Sequence, residues 1–379
     1  MPAPEKVLRG GRVRWRARYY DPSGQRHSKT FPTAAEASRF LAGVQHAKIT
    51  GSYVDPNRSR VTLAEWAGQW LDSKLNLAPK TRERYEGIIR AHIVPRWGKV
   101  RLSNVTHGEL QRWIASIDAA PATVTKVHRV MSMLLAYAVA DDRLAKNPAE
   151  RISLPRVQQA ERRYLTHTQV AELAEFCGPG YRLVVLFLAY TGLRWGEMAA
   201  LRVGMVDFLR RRVMVAESVT PVHGTMTFGP TKGHERRAVP LPRFLVEDLA
   251  GHVAGKSGDD LVFTSLRGTA LRSQTFQRVA LTRAAESLGV PGFHPHELRH
   301  TAASLAIASR ADVKVVQQML GHKSAVMTLD QYGHLFGDRL DIVADAMDTA
   351  RAAALGSVAS GGYPAGTAAA VVELNSGRK

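Results

Sequence analysis

Over residues 12–19, RVRWRARY, apolar and polar positions alternate one for one. Val13, Trp15, Ala17 and Tyr19 point one way; Arg12, Arg14, Arg16 and Arg18 point the other. A period of two marks a strand half-buried on one face. The turn-forming RGG (9–11) and DPSG (21–24) bracket it, and QRHSKTF (25–31) is a further strand candidate, so a small three-stranded sheet is expected. Thr33 and Glu36 have capping-box spacing and open a helix to about Ile49. SYVDPNRSR (52–60) reads as a linker. From Thr62 the period becomes helical: Thr62 and Glu65 form a second capping box, ahead of Leu63, Trp66, Trp70 and Leu71. Further helices are predicted over about 81–93, from Thr106 with Glu109, and over about 123–140, with no strand pattern between them.

LAKNPAERISLPR (144–156) is a Pro-punctuated spacer. From about Tyr164 the pattern is mixed. Helices are predicted near 168–176, 181–191, 273–288, 297–309, 312–320 and 324–336. RRVMVAE (211–217) and RRAVPL (236–241) read as strands, with TKGHE (231–235) at a turn between them. The Ala/Gly-rich end is expected to lack fixed structure. The expected fold class is multidomain α+β. A small three-stranded sheet with one helix occupies 1–58, an all-α domain 61–152, a mainly helical domain with a small antiparallel sheet 160–345, and a flexible tail 346–379.

Charge narrows the function. Lys and Arg number 52 against 33 Asp and Glu, a net charge of +19, which favours a polyanionic partner, most simply nucleic acid. Residues 1–60 hold twelve Lys and Arg against four Asp and Glu. Four arginines on one strand face repel each other unless an anion lies against them. No apolar run approaches the ~20 residues of a membrane span, and the N-terminus lacks the apolar core of a signal peptide. The single cysteine, Cys177, excludes an internal disulfide and a Cys-based zinc site and reads as packing at a helix end. A cytoplasmic, nucleoid-associated protein is expected.

HELRH (296–300) satisfies H-E-x-x-H, which on a helix sets two imidazoles toward zinc with a glutamate as general base. A zinc metallopeptidase is therefore one reading. It lacks a third ligand: the H-x-x-G-x-x-H continuation is absent, no Glu occurs between Glu297 and Glu373, and Arg299 would set a fixed cation beside the metal. As an anion site the same residues fit better. His296 falls at a helix N-terminus and Arg299 lies one turn on, so the pair can hold two oxygens of one phosphate. Other pieces follow the same chemistry. TGLRWGE (191–197) places Arg194 at a helix start with Glu197 to orient it, TKGHERR puts Lys232 on a turn, LGHKS (320–324) sets His322 after a helix-ending Gly321, and Tyr332 follows in QYGH.

The ordered set TGLRWGE, TKGHERRAVPL, HELRHT, LGHKS and QYGH, spanning about 190–335, resembles the catalytic pattern of the tyrosine recombinases of the phage-integrase kind. The resemblance implies six catalytic residues, Arg194, Lys232, His296, Arg299, His322 and the nucleophile Tyr332. Glu197 and His300 are expected behind them, His300 as a buried structural residue. It also implies that 61–152 binds core-type sites and 1–58 binds arm-type sites, the latter through Arg12, Arg14, Arg16 and Arg18. The implied activity is site-specific cleavage and rejoining of double-stranded DNA through a 3′-phosphotyrosyl intermediate, integrating and excising a phage or other mobile element. A homotetramer on DNA is implied, with a directionality factor and a host DNA-bending protein as further partners.

The chemistry follows. Arg194 and Arg299 stabilise charge on non-bridging oxygens. A cationic pocket is expected to favour the Tyr332 phenolate. His296 is a candidate acceptor for the tyrosine proton, Lys232 the general acid for the leaving 5′-oxygen, and His322 a donor to a phosphate oxygen. No cofactor or metal is implied. The remaining alternative, a non-catalytic DNA-binding regulator on the same fold, does not explain six intact catalytic residue types.

Overall fold

The computed structural model describes residues 3–360 except 10, 11, 23, 51, 52, 55–57, 159–161, 232, 234, 235 and 337–339; of its last helix it describes the side chains of 343–355. Contacts divide the chain into two compact units, one running to residue 161 and including 221–225, the other comprising the rest from residue 162.

The first unit holds two hydrophobic cores. The N-terminal one is built on an antiparallel sheet, β1 (Glu5–Arg9), β2 (Arg12–Tyr20) and β3 (Arg26–Phe31), covered by α1 (Ala34–Ile49). The alternation in β2 decides which side chains the helix meets: Ala17 and Tyr19 are buried against Ala37 and Leu41, and Trp15 packs beside them. Thr33 caps α1 by accepting from the Glu36 amide. The arginine face is less bare than β2 alone suggests. Glu5 of β1 pairs with Arg18 at 3.0 Å, so a neighbouring strand supplies part of the missing negative charge.

The second core is all helix: α2 (Leu63–Asp72), α3 (Pro79–Ile88), which runs through a wide turn at 89–93 into α4 (Val94–Trp97), α5 (His107–Ala115) and α6 (Pro121–Ala140). Thr62 and Glu65 close a reciprocal capping box. Buried Trp66 donates its indole N–H to the Leu134 carbonyl at 2.9 Å. The Pro-punctuated segment is partly structural: Ile152 is buried in this core, and Gln111 bonds the backbone of Ser153 at both ends of its amide.

The second unit is organised around α8 (Pro179–Thr191), whose residues Val184–Ala189 are all buried. A helix apolar on every side belongs in the middle of a core, and α7 (His167–Phe176) and α13 (Pro295–Ala308) pack against it. Between them come the short α9 (Trp195–Ala199), β4 (Val206–Asp207) and β5 (Arg212–Val215), then β6 (Glu217–Val222), β7 (Thr225–Pro230) and β8 (Arg237–Pro240). They are followed by α10 (Arg243–Val253), and by α11 (Ser273–Phe276) and α12 (Thr282–Ser287) joined through a wide turn. The sequence predicts strands at 211–217 and 236–241 with TKGHE at a turn between them. β5 and β8 do pair, but the separate two-stranded β6–β7 excursion intervenes, so TKGHE follows β7.

The chain then adds α14 (Val313–Leu320), α15 (Ala325–Tyr332) and α16 (Leu340–Ser360). The tail expected to be flexible from 346 is helical to 360, because DIVADAMDTARAAAL is rich in strong helix formers. AAAVVEL (368–374) lies outside the described residues. No helix among the described residues is long and apolar enough to cross a membrane.

Candidate active site

The C-terminus of α14 organises the site. A helix ends with carbonyls that lack intrahelical donors and carry the negative end of its dipole. Here guanidinium groups from three other elements meet three successive carbonyls. Arg237 Nε donates to Met319 at 3.2 Å, Arg299 Nη2 to Leu320 at 2.7 Å, and Arg194 Nη2 to Gly321 at 3.3 Å. Gly321 sits at φ +66°, and a Cβ there would lie 2.9 Å from the Arg237 guanidinium. A side chain is thus excluded both by backbone conformation and by the packed arginine.

Each cation is held by its own element. Arg299 is buried on α13 and donates its other nitrogen to the Gly192 carbonyl at 2.6 Å, at the αL end of α8. Arg194 is the N-cap of α9, and Glu197, three residues on, both caps its amide at 3.0 Å and pairs with its guanidinium at 2.8 Å. Glu197 is itself buried and receives a fork from Arg237, at 2.6 and 3.1 Å. Burial raises the Glu197 carboxyl, but Arg237 and then Arg194 outweigh it and hold the group below the ordinary carboxylate range. Arg237 was not among the sequence candidates. Strand alternation could have found it: Val239 is buried and Arg237 lies two residues before it, on the same inward face of β8.

His322 leaves the Gly321 turn buried, with Nδ1 3.0 Å from the hydroxyl of buried Thr328. Burial, then Arg299, Arg194 and Arg237, push its imidazole down to about 4. Its ring lies parallel to that of Tyr332, with centroids 6.3 Å apart. Tyr332 ends α15 and is fully buried. Its hydroxyl is 2.7 Å from His300 Nδ1. Burial raises the phenol to about 12, against the opposing pull of Arg299 and Arg162. The cations pull toward phenolate as expected, but desolvation exceeds their attraction, so the net shift of the phenol is upward.

His296 occupies the second helical position of α13, after His294 as N-cap and Pro295. Desolvation and then the charges of Arg299 and Arg194 hold its imidazole below the ordinary histidine value. No hydrogen bond joins it to Tyr332. That place is taken by His300, half-buried rather than fully buried and one turn further along the same face. Glu297 caps α13, accepting from the His294 amide at 2.6 Å and pairing with Arg163 at 3.2 Å and with the His294 ring at 3.6 Å, so its carboxylate is engaged by the cap and its cations. Among the described residues no cluster of three His, Cys, Asp or Glu is placed to hold a metal. Lys232 lies outside the described residues; its neighbour Thr231 is buried. Cys177 is buried at the end of α7, its thiol pushed up to about 12 by burial.

Comparison with known proteins agrees over most of the chain. Residues 163–339 match the model described as phage integrase family, 62–117 the phage integrase N-terminal SAM-like domain, and 8–51 the phage integrase N-terminal domain. The integrase of Mycobacterium phage L5 is 26% identical over 361 residues, covering 90% of this chain and 96% of that protein. The tyrosine recombinase XerC of Mycobacterium leprae (strain TN) is 29% identical over 287 residues, covering 70% and 91%. Among solved structures, the Tn1549 transposon integrase in complex with circular intermediate DNA is similar at TM-score 0.62 and 18% identity, over 72% of this chain and 95% of that one. A lambda integrase tetramer bound to a Holliday junction is similar at TM-score 0.57 and 20% identity, over 86% and 97%.

Proposed function

Because this chain belongs to the phage integrase family and is a tyrosine-type site-specific DNA recombinase, we propose that it cleaves and rejoins DNA through Tyr332, with Arg194, Lys232, His296, Arg299 and His322 around the scissile phosphate. The observation that carries this assignment is the convergence of Arg194, Arg299, His322 and Tyr332 on the loop that ends α14. A phosphodiester gathers charge on its non-bridging oxygens as it is attacked, and fixed guanidiniums stabilise that charge while staying protonated at neutral pH, including Arg299, which burial and then Arg194 push down to about 9. The α14 carbonyls keep the cations close together before DNA arrives.

Glu197 and Arg237 are positioning residues. The carboxylate fixes Arg194, and Arg237 keeps that carboxylate ionised. Thr328 sets the His322 tautomer: with its hydroxyl donating to Nδ1, Nε2 carries the proton and can donate to a phosphate oxygen. His296, at a helix N-terminus, supplies a further phosphate contact. Lys232 is the general acid for the 5′-oxygen. The products are a 3′-phosphotyrosyl linkage and a free 5′-hydroxyl, so the phosphodiester energy is conserved for religation.

DNA is the partner. We assign residues 61–152 to core-type sites and 1–58 to arm-type sites read by Arg12, Arg14, Arg16 and Arg18. The active form is a homotetramer on paired sites, with a directionality factor and a host DNA-bending protein as accessory partners, and the product is integration and excision of a phage or other mobile element. Arg194→Ala and Arg299→Ala should each slow cleavage by at least about 100-fold, and native cleavage should persist in EDTA. Cleavage abolished by chelation and restored by zinc would instead favour a metal site at HELRH.

A further inference from the structure

Attack by a tyrosine requires that its proton go somewhere. Among the described residues, His296, His300 and His322 are the candidates to weigh beside Tyr332. His322 lies over the phenol ring, and its Nδ1 is engaged by Thr328. His296 meets His300 edge-on, with ring centroids 4.9 Å apart, and does not reach the phenol. His300 alone of the three is hydrogen-bonded to the hydroxyl, Nδ1 to Oη at 2.7 Å, inside the range for direct proton transfer.

We propose that His300 is the general base of strand cleavage, its Nδ1 taking the phenolic proton of Tyr332 as the tyrosine oxygen bonds to phosphorus. The assignment rests on Tyr332 being the nucleophile. The imidazole starts neutral, with its proton on Nε2 and a lone pair on Nδ1. That lone pair takes the phenolic hydrogen, the O–H electron pair becomes the new P–O bond, and the P–O5′ pair departs with the 5′-oxygen, which is protonated by the general acid. In religation the imidazolium returns its proton to the departing tyrosine oxygen.

The surroundings favour the neutral starting form. His300 faces His296 and Arg299 on its own helix, Arg162 on the segment entering the unit, and Tyr332 and His322 on the last turns of the site. Burial first, then His296, Arg162 and Arg299, push the imidazole down to about 4. With the phenol at about 12, the resting pair does not exchange its proton, so an unengaged enzyme keeps its nucleophile protonated. A phosphodiester seated between Arg194 and Arg299 brings negative charge that offsets the cations acting on His300. Transfer coupled to P–O bond formation then avoids a free phenolate.

The test uses the full-length protein and a nicked suicide duplex carrying the core sequence it protects in footprinting. His300→Ala should bind the duplex normally yet form covalent adduct about 100- to 10,000-fold more slowly in a single turnover, the span of general-base effects. Added imidazole should recover part of the rate. Between about pH 7 and 9 the variant's rate should climb more steeply than the native rate, approaching tenfold per unit, as ionisation of the phenol replaces the base. His300→Asn keeps a hydrogen-bonding partner for the phenol but no base, and should be equally slow. Native-rate cleavage by either variant overturns the proposal. So does a slow His300→Ala that neither imidazole nor higher pH rescues. Tyr332→Phe, run in parallel, separates the two assignments. Adduct in that variant removes the nucleophile and with it the base, whereas no adduct there beside native-rate His300→Ala removes the base alone.

Discussion

Arg237→Ala tests whether the site is held together as the geometry implies. Arg237 makes two hydrogen bonds to the buried Glu197 carboxylate and one to the Met319 carbonyl, with side-chain exposures of 12% for the arginine and 1% for the glutamate. Removing it leaves Glu197 with Arg194 as its remaining guanidinium partner. Breaking one side of a buried ion pair costs about 3–5 kcal/mol, which in a unit of this size lowers the thermal midpoint by roughly 6–20 °C. The sign with pH follows from Glu197, whose folded-state carboxyl lies below its ordinary value. Its contribution is complete at neutral pH and is lost as pH falls through the folded value. In Arg237→Ala burial dominates, the carboxyl rises, and that acid-side loss should shrink or reverse. The assay is denaturant and thermal unfolding of native, Arg237→Ala, Glu197→Gln and double-variant proteins at pH 7 and pH 5. The double variant should be less destabilised than the two singles added together, because no buried carboxylate is left without Arg237. A loss under about 1 kcal/mol for Arg237→Ala, the size of a surface pair, or strict additivity in the double variant, would refute the reasoning.

Gly321→Ala forces a side chain into a left-handed position against the Arg237 guanidinium; it should destabilise the fold by about 1–3 kcal/mol and slow cleavage, both read on the same preparation. Lys232→Ala should lose cleavage of ordinary DNA but regain it on a substrate with sulfur at the 5′-bridging position, since a thiolate leaves unprotonated; failure of rescue would make the lysine an electrostatic contact only. Arg14→Ala with Arg16→Ala should abolish binding to arm-type DNA in a footprint while leaving cleavage of a short core duplex intact; loss of core cleavage as well would mean that this face is not a separate DNA-binding surface.

Much of this arrangement was legible in the chain because it depends on local spacing. Arg194 and Glu197 are three residues apart at a helix start, and His296 and Arg299 are three apart on one helix face, so helical geometry brings each pair together. What stayed hidden depends on long-range placement. The β6–β7 excursion carries Pro221 and Pro230 and buries little beyond Val219, so its alternation is weak. Arg237 stood out only as part of the strand RRAVPL, because its partner, Glu197, is forty residues away. His300 read as structural because the motif drew attention to His296 and Arg299, while its partner, Tyr332, arrives on a different helix. The Ala-rich tail misled in the opposite direction: its composition resembles low complexity, yet alanine favours the helix that extends to residue 360.

The most direct test of the account is to trap the protein on the nicked suicide duplex, digest the denatured complex and identify the peptide carrying the nucleotide. A 3′-phosphotyrosyl linkage on Tyr332 is expected, absent from Tyr332→Phe, which should still bind the duplex because only the phenolic oxygen is lost. A linkage on any other residue, or an adduct undiminished in Tyr332→Phe, would contradict it.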